Sequence, residues 1–457
     1  MPLRALNPKD SERLPLVVGF QKIGLNKTSC TRFINAGKGI YIYDTEGREY
    51  IDATSSFYAA SLGFQNVELI DAIEGQYRKL PFCVSAQQRT SDVSCELAEK
   101  LLSVLPLRGG HIVFGSSGSE AVDFLIKLLR FGAVAKGEPE RKTIIGRRHS
   151  YHGGTVASAS LTGGSHDEFG LPIEGFRHFS RTDYHGDRLP GESSAEYSSR
   201  LAEELEAAIA AEPVGSVAAF FAEPVSFSAG FKTPPAEYFP AVSRVLDAHG
   251  VELVADEVIT GFGRTGNMFG CETFGIDSAH ITVGKGITSG YFPLSACAVG
   301  DSLYALLERG SERVGTFAHA STFAAHPVGA ATALKTIEII ERDGLVDHGR
   351  VMGARLLQRL LAFTDHPLVG EVRGCGLGAS LDFLRRDRTD EVINDDADYL
   401  AKAVSDALFD LGVITRAAGR NIIIAPPLII QGEEIDEIAM RVGQALDLVL
   451  RARPAKK

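Results

Sequence analysis

The sequence predicts an α/β protein. A large domain has a mostly parallel central sheet with helices on both faces, and a smaller α/β domain is assembled from both ends of the chain. Three observations carry this. From about residue 90 to 320, helical patterns alternate with short apolar runs, which argues strand–helix–strand units and a parallel sheet. Ahead of them, GKGIYIYDTEGREYIDA (37–53) alternates apolar and polar residues around an Asp-Thr-Glu-Gly turn, as a β-hairpin does. Beyond about 330, the helical stretch GAATALKTIEIIERDGL leads into mixed helices and strands. The expected divisions are 1–85 for an N-terminal segment contributing to the small domain, 86–325 for the large domain and 326–457 for the C-terminal small domain.

In chain order, the strands of the large domain are expected at HIVFG (111–115), KTIIG (142–146), VAAFFAEP (217–224), VELVADE (251–257) and HITVGKG (280–286). Functional groups in such a sheet gather at the carboxyl ends of the strands. The small domain is expected to draw strands from VGEVRGCGLGASLDF and NIIIAPPLII, followed by a closing helix.

Composition narrows the class. A chain of 457 residues is too long for one small core, and 44% hydrophobic with 23% charged residues is a globular balance. The net charge of −11 argues against nucleic acid or an anionic membrane as partner. The basic pairs Arg147-Arg148 and Arg385-Arg386 are expected to be solvated surface. No apolar run reaches the ~18 residues of a membrane span, and MPLRALNPKDSERLP has no apolar signal region. The six cysteines (30, 83, 95, 271, 297 and 375) lack C-x-x-C spacing. They fit a reduced cytoplasm, and neither a structural zinc nor another metal site is expected.

Three motifs carry chemistry. In FGSSGSEAVDFLIKLLRF (114–131) a strand ends in a Ser/Gly turn and a helix begins, with Ala121, Phe124, Leu125, Leu128 and Leu129 as its apolar face. Ser117-x-x-Glu120 reads as a capping box, and the exposed N–H groups make an anion cradle. An ordinary capped helix would show the same pattern. In RHSYHGGT (148–155), Tyr151 and His152 follow a strand and precede two glycines. Tyr151 could stack on a flat ligand or pack beneath the turn. In VELVADEVITGFGRTG (251–266) an apolar run ends on Asp256. Glu257 beside it reads as an orienting acceptor or as a partner for Arg264. Lys285 follows 29 residues after Asp256, at the end of another apolar run. An unpaired buried acid or lysine is costly, although a lysine can also snorkel to solvent. Together an anion cradle, an aromatic plate, an acid and a lysine meet the needs of pyridoxal phosphate. Its phosphate needs the helix N-terminus, its ring a stacking face, its ring nitrogen a carboxylate, and its aldehyde a lysine.

With these residues in place, the sequence resembles the class III aminotransferases of the fold-type I pyridoxal-phosphate enzymes. SGSEA, YHG, AEP, VADEVITGFGRTG, the later lysine and HPVGAA occur in the family's order and approximate spacing over nearly the whole chain. GVITRAAGRNIIIAPPLII (412–430) resembles the β-alanine:pyruvate and ω-amino-acid or amine transaminase subgroup, in which this segment carries a mobile substrate arginine. The resemblance implies a transaminase that moves an amino group from an ω-amino acid or primary amine to a 2-oxo acid, with pyruvate expected. It implies that Lys285 forms the Schiff base and shuttles the proton. Asp256 would pair with the ring nitrogen, with Val258 and Tyr151 on the two ring faces. Ser117, Gly118 and Ser119 would bind phosphate, His152 would join the cofactor site, and Glu223 would support the ring's phenolic side. Thr322 would reach the phosphate of a neighbouring subunit, so a homodimer with shared sites is expected, with a tetramer left open. Arg416 would grip a substrate carboxylate and swing aside for an uncharged group. Phe20, Phe57 and Tyr58 would line the substrate pocket.

Some positions depart from the family. Tyr58 replaces a frequent Trp, and Ala86 replaces a large aromatic that enters the partner's pocket. Ser226-Phe227-Ser228-Ala229 replaces a Gly-rich run, and Phe227 is expected to narrow the pocket. A reshaped pocket favouring longer or bulkier amines follows. The competing readings are an aminomutase or amino-acid decarboxylase on the same fold, a nicotinamide-dependent oxidoreductase and a silent binding protein. The missing G-x-G-x-x-G disfavours the oxidoreductase. Keeping lysine, aspartate and phosphate cradle together disfavours the silent protein.

Overall fold

The computed structural model describes residues 16–19, 33–164, 166–384 and 396–452. Phe20 and the Arg385-Arg386 pair lie outside them. The predicted hairpin is present as β1 (Ile34–Lys38), β2 (Tyr41–Asp44) and β3 (Glu49–Asp52), antiparallel in that order. Its turn closes because the Asp44 carboxylate accepts from the N–H groups of Glu46 and Arg48, and Gly47 supplies φ +81°.

Among the described residues the central sheet has seven strands: β4 (His111–Gly115), β5 (Thr143–Arg147), β6 (Phe176–Phe179), β7 (Val217–Ala222), β8 (Glu252–Asp256), β9 (His280–Val283) and β10 (Ser295–Val299). Their spatial order is β4-β10-β9-β8-β7-β5-β6. Pairings β6–β5, β5–β7, β7–β8 and β8–β9 are parallel, and only β10 runs against its neighbours. β5 and β7 are buried along their whole length, which is why they read as continuous apolar runs rather than as alternation. Consecutive Phe220 and Phe221 point to opposite faces and enter two different apolar clusters. Truncating either to Ala would cost about 3–5 kcal/mol.

The helix Gly118–Lys136 covers one face. All five predicted apolar positions are buried, and Gly137 ends the helix at φ +91°. The smaller sheets contain β11 (Glu371–Gly374), β12 (Ala379–Asp382), β13 (Val413–Ile414), β14 (Arg416–Ala418) and β15 (Asn421–Ile424). β13 pairs in parallel with β3 and so ties the two ends of the chain together. The closing helix Gly432–Ala452 buries Ile435, Ile438, Val442 and Leu446 on one face. Among the described residues no helix is long and apolar enough to cross a membrane.

Two expectations are corrected here. Arg147 is not solvated surface: it is 1% exposed, and its guanidinium bonds the Glu223 carboxylate at 2.9 Å and Ser226 Oγ at 3.1 Å. The capping box is half formed. Glu120 N–H donates to Ser117 Oγ, but the Glu120 carboxylate accepts from Ser116 N–H at 2.6 Å and from Ser321 Oγ at 2.7 Å.

Candidate active site

Five mutually parallel strands end at one place. β4 delivers the turn before Gly118, β5 leads to Tyr151, β7 to Glu223, β8 ends on Asp256 and β9 leads to Lys285. The cavity at these ends is lined by Phe57, Tyr58, Gly118, Ser119, Tyr151, His152, Gly153, Glu223, Ser228, Asp256, Val258, Ile259, Lys285 and Arg416.

Asp256 is buried and held rigidly. Its Oδ1 accepts from Thr282 Oγ1 at 3.0 Å and from Val258 N–H at 3.1 Å, and its Oδ2 lies 2.7 Å from His152 Nδ1. Thr282 is its register partner across β8–β9, so the sheet itself sets the first bond. A carboxylate at Asp256 puts a His152 proton on Nδ1, and the buried Nε2 makes no hydrogen bond among the described residues, lying 4.0 Å from Glu223 Oε2. The Glu223 carboxylate takes Arg147 and Ser226 Oγ on one oxygen and Tyr151 N–H, at 3.1 Å, on the other.

Among the described residues Lys285 Nζ makes no hydrogen bond or ion pair, and Lys285 sits at φ +43°, a strained backbone for a non-glycine residue. It does not snorkel to the outer surface. Burial lowers its pKa from 10.5 to about 8. Asp256 opposes that shift and Arg416 adds to it. Burial raises the Tyr151 phenol, and Arg416 partly offsets it.

The phosphate cradle can be tested on the glycines. A Cβ on Gly118 would come within 2.9 Å of Val258 Cγ1, and one on Gly153 within 2.6 Å of Ser119 Oγ, where φ is +147°. Ser119 Oγ accepts from Gly154 N–H at 3.0 Å, so its own proton remains available to a ligand at the helix N-terminus. Ser117 is different: its Oγ accepts from Glu120 N–H in the helix cap, and it does not line the cavity. An unpaired desolvated lysine, a wired carboxylate, an orphaned imidazole nitrogen and an open N-terminal cradle all fit pyridoxal phosphate.

On the substrate side, Arg416 leads β14 and its Cζ stands 5.1 Å from the centroid of the Phe57 ring. Among the described residues Arg416 makes no ion pair with a carboxylate. Phe57 and Tyr58 ride on a turn whose four residues, 55–58, have φ of +48°, +46°, +60° and +70°. Such backbone costs roughly 1–2 kcal/mol per residue. Arg420 is not an alternative to Arg416, because it is bound to Asp382 at 2.8 Å and Asp183 at 2.7 Å.

Other expectations change. Phe227 does not narrow the cavity. It is fully buried behind Tyr58, with ring centroids 5.1 Å apart, and Ser228 faces the cavity in its place. Glu257 does not pair with Arg264. It accepts from Thr260 Oγ1 and from the N–H groups of Gly270 and Cys271, whereas Arg264 donates to the carbonyls of Leu377 and Pro426. Thr322 is exposed and Ala86 half-buried, and neither lines this chain's own cavity. Sequence reasoning missed Arg147, although an apolar run ending on a charge, the signal that exposed Asp256, was present there too.

A family model described as aminotransferase class-III matches residues 24–446. A putrescine–pyruvate aminotransferase of Pseudomonas aeruginosa is 36% identical, covering 91% of this chain and 90% of the relative. A diaminobutyrate–2-oxoglutarate transaminase of Halomonas elongata is 37% identical, covering 92% of this chain and 91% of the relative. The crystal structure of the ω-transaminase from Pseudomonas jessenii in complex with PMP is similar at a TM-score of 0.92 and 36% identity, over 97% of this chain and 98% of that one.

Proposed function

Because this chain belongs to the class III aminotransferases, which depend on pyridoxal phosphate, we propose that it moves an amino group from a primary amine or ω-amino acid to pyruvate. The observation that carries the finer reading is Arg416. It is a cation held against an aromatic face rather than by a carboxylate, so a carboxylate substrate can recruit it and an uncharged one can leave it aside.

When bound, pyridoxal phosphate supplies an aldehyde carbon that takes the amine nitrogen and a cationic ring that takes up electrons released at the substrate carbon. Lys285 would hold the aldehyde, and its Nζ, once released by the incoming amine, would be placed to accept a proton from the substrate carbon and return it. Its burial, which lowers its pKa to about 8, favours the neutral amine that both roles need. Asp256, fixed by Thr282, Val258 N–H and His152, would hold the proton on the ring nitrogen. Val258 and Tyr151 would flank the ring, Gly118 N–H and Ser119 Oγ would take the phosphate, and Glu223, held by Arg147, would support the phenolic side.

Thr322 is assigned to the phosphate of a second copy and Ala86 to that copy's donor pocket, which makes a homodimer the smallest active unit. The neighbouring Phe82 and Phe323 are 41% and 59% exposed, aromatic surface that a second copy would cover. Activity should fall on dilution below the dimer dissociation constant, and an active monomer in sedimentation under assay conditions refutes the shared site. With Ala86 in place of a ring, longer amines should be favoured over β-alanine, each buried methylene adding up to ~0.8 kcal/mol. Ala86→Phe should shorten the preferred chain length.

The test of the reaction is a panel of amines against pyruvate and 2-oxoglutarate, with the keto product and the new amino acid both quantified. Nitrogen transfer to pyruvate from primary amines is expected. Transfer to 2-oxoglutarate alone would move the acceptor assignment toward that of the Halomonas relative, and transfer to neither would overturn it.

A further inference from the structure

The left-handed turn at residues 55–58 contains no glycine, and the proposed chemistry by itself gives no reason for the chain to hold it. The reason lies three residues earlier. Asp52, the last residue of β3, is 1% exposed, and each of its carboxylate oxygens takes two donors. Oδ1 accepts from Thr54 N–H at 3.1 Å and Thr54 Oγ1 at 2.9 Å. Oδ2 accepts from Ser56 N–H at 2.7 Å and Ser56 Oγ at 2.8 Å. The Thr54 bonds alone would make an ordinary Asx turn. The Ser56 bonds reach inside the left-handed stretch and fix a residue that would otherwise relax out of it. Ser55 closes the other side: its Oγ donates to the Ala425 carbonyl at 2.7 Å and accepts from the Arg264 guanidinium at 3.2 Å.

Asp52 also touches the other half of the pocket. Its backbone pairs with Ile414 across β3–β13, two residues before Arg416. One residue therefore sets both the turn that carries the Phe57 ring and the strand that leads into the guanidinium lying 5.1 Å from that ring.

We propose that Asp52 is a positioning residue for substrate selection: its carboxylate holds residues 55–58 left-handed, so that Phe57 parks Arg416 and sets how the pocket divides carboxylate from uncharged substrates. The inference rests on the reading of Arg416 given above.

The two half-reactions of the holoenzyme separate the effects, with pyruvate and benzylamine as probes and cofactor absorbance as the signal. Asp52→Asn turns an amide nitrogen toward the Ser56 N–H, donor against donor. It should raise the KM for pyruvate about tenfold, with the benzylamine half-reaction changed by less than about threefold. Ser56 is exposed, so a second pair of variants avoids the core. Ser56→Gly and Ser56→Val both lose the hydroxyl, but glycine accepts φ +46° freely and a β-branched residue does not. Ser56→Val should reproduce the selective loss and Ser56→Gly should stay close to wild type. Equal losses on both probes, or no difference between the two Ser56 variants, overturn the inference. If Asp52→Asn does not fold, the Ser56 pair decides alone. Arg416→Ala is run beside them. A selective pyruvate loss there without one in Ser56→Val sinks the Asp52 inference alone, and no selective loss there sinks the reading of Arg416 and the inference with it.

Discussion

Lys232 and Lys285 both give up most of their water, yet their surroundings differ. Lys232 Nζ lies 3.0 Å from Asp183 and 3.0 Å from Asp382, and those carboxylates are held in turn by Arg420 and Arg373. Lys285 Nζ lines a cavity and has no such partner among the described residues. Burial alone would raise the Asp183 and Asp382 carboxyls, but Lys232 and the arginines outweigh it and hold both below the ordinary carboxylate range. Burial lowers the pKa of both lysines: at Lys232 the nearby Asp382 and Asp183 oppose it, and at Lys285 the pKa falls to about 8. A buried charge whose partners come from the same chain holds the fold together. One left open is kept for a partner that arrives from outside.

Mutating the two lysines should therefore give opposite results. Lys285→Ala should lose at least about 10³-fold in turnover while the protein still folds, as circular dichroism and a melting scan would show. Lys232→Ala should remove one cation from between two buried acids, leaving them to Arg420 and Arg373 alone. It should cost about 3–5 kcal/mol of stability, read from urea midpoints, with turnover per folded molecule changed far less. A Lys232→Ala protein that is stable but inactive would erase the distinction.

The pH dependence of stability sharpens it. Between the folded value of about 8 and the ordinary 10.5, the unfolded chain binds more protons at Lys285 than the folded one does. Stability of the cofactor-free protein should rise with pH across that window, by up to ~3 kcal/mol from this group. Lys285→Met should lack that increment and be the more stable protein below pH 8. On the acid side the sign is reversed: the depressed Asp183 and Asp382 contribute stability above about pH 4, and it is lost as pH falls through their folded values. Identical pH profiles for wild type and Lys285→Met would mean that Lys285 is not desolvated.

A smaller effect separates the two arginines of the 416–420 segment. Arg416→Ala should weaken pyruvate by about ten- to a hundredfold, the equivalent of about 1.5–3 kcal/mol, and leave an uncharged amine nearly unaffected. Arg420→Ala should lower stability instead, because Arg420 belongs to the same closed network as Lys232. Equal losses for both substrates in Arg416→Ala would make it structural.

How far the sequence could be read follows the same division. Five of the seven central strands, the capped helix and the Asp256–Lys285 pair are legible because each is a local pattern: an apolar run, a turn, a charge at the strand's end. β6 and β10 are not among the strands expected from the sequence. Arg147 escaped because its partner Glu223 is 76 residues away, and a basic pair read alone looks like surface. Lys232 escaped for the same reason, with Asp382 150 residues on. The resemblance puts Phe227 in the pocket because relatives have glycine at that position, but the tight turn in which Phe231 N–H bonds the Phe227 carbonyl sends its ring behind Tyr58. The left-handed turn at 55–58 left no mark, since Ser-Ser-Phe-Tyr contains none of the residues that announce positive φ. Its cause lies in the Asp52 carboxylate, in a geometry that composition does not encode.

The most direct test of the central claim is to add pyridoxal phosphate to the cofactor-free protein, reduce with borohydride, digest, and locate the added mass by peptide mass spectrometry. The account predicts stoichiometric label on the peptide containing Lys285 and none on the peptide containing Lys232. Label on Lys232, or label spread over surface lysines with Lys285 unmodified, would contradict it.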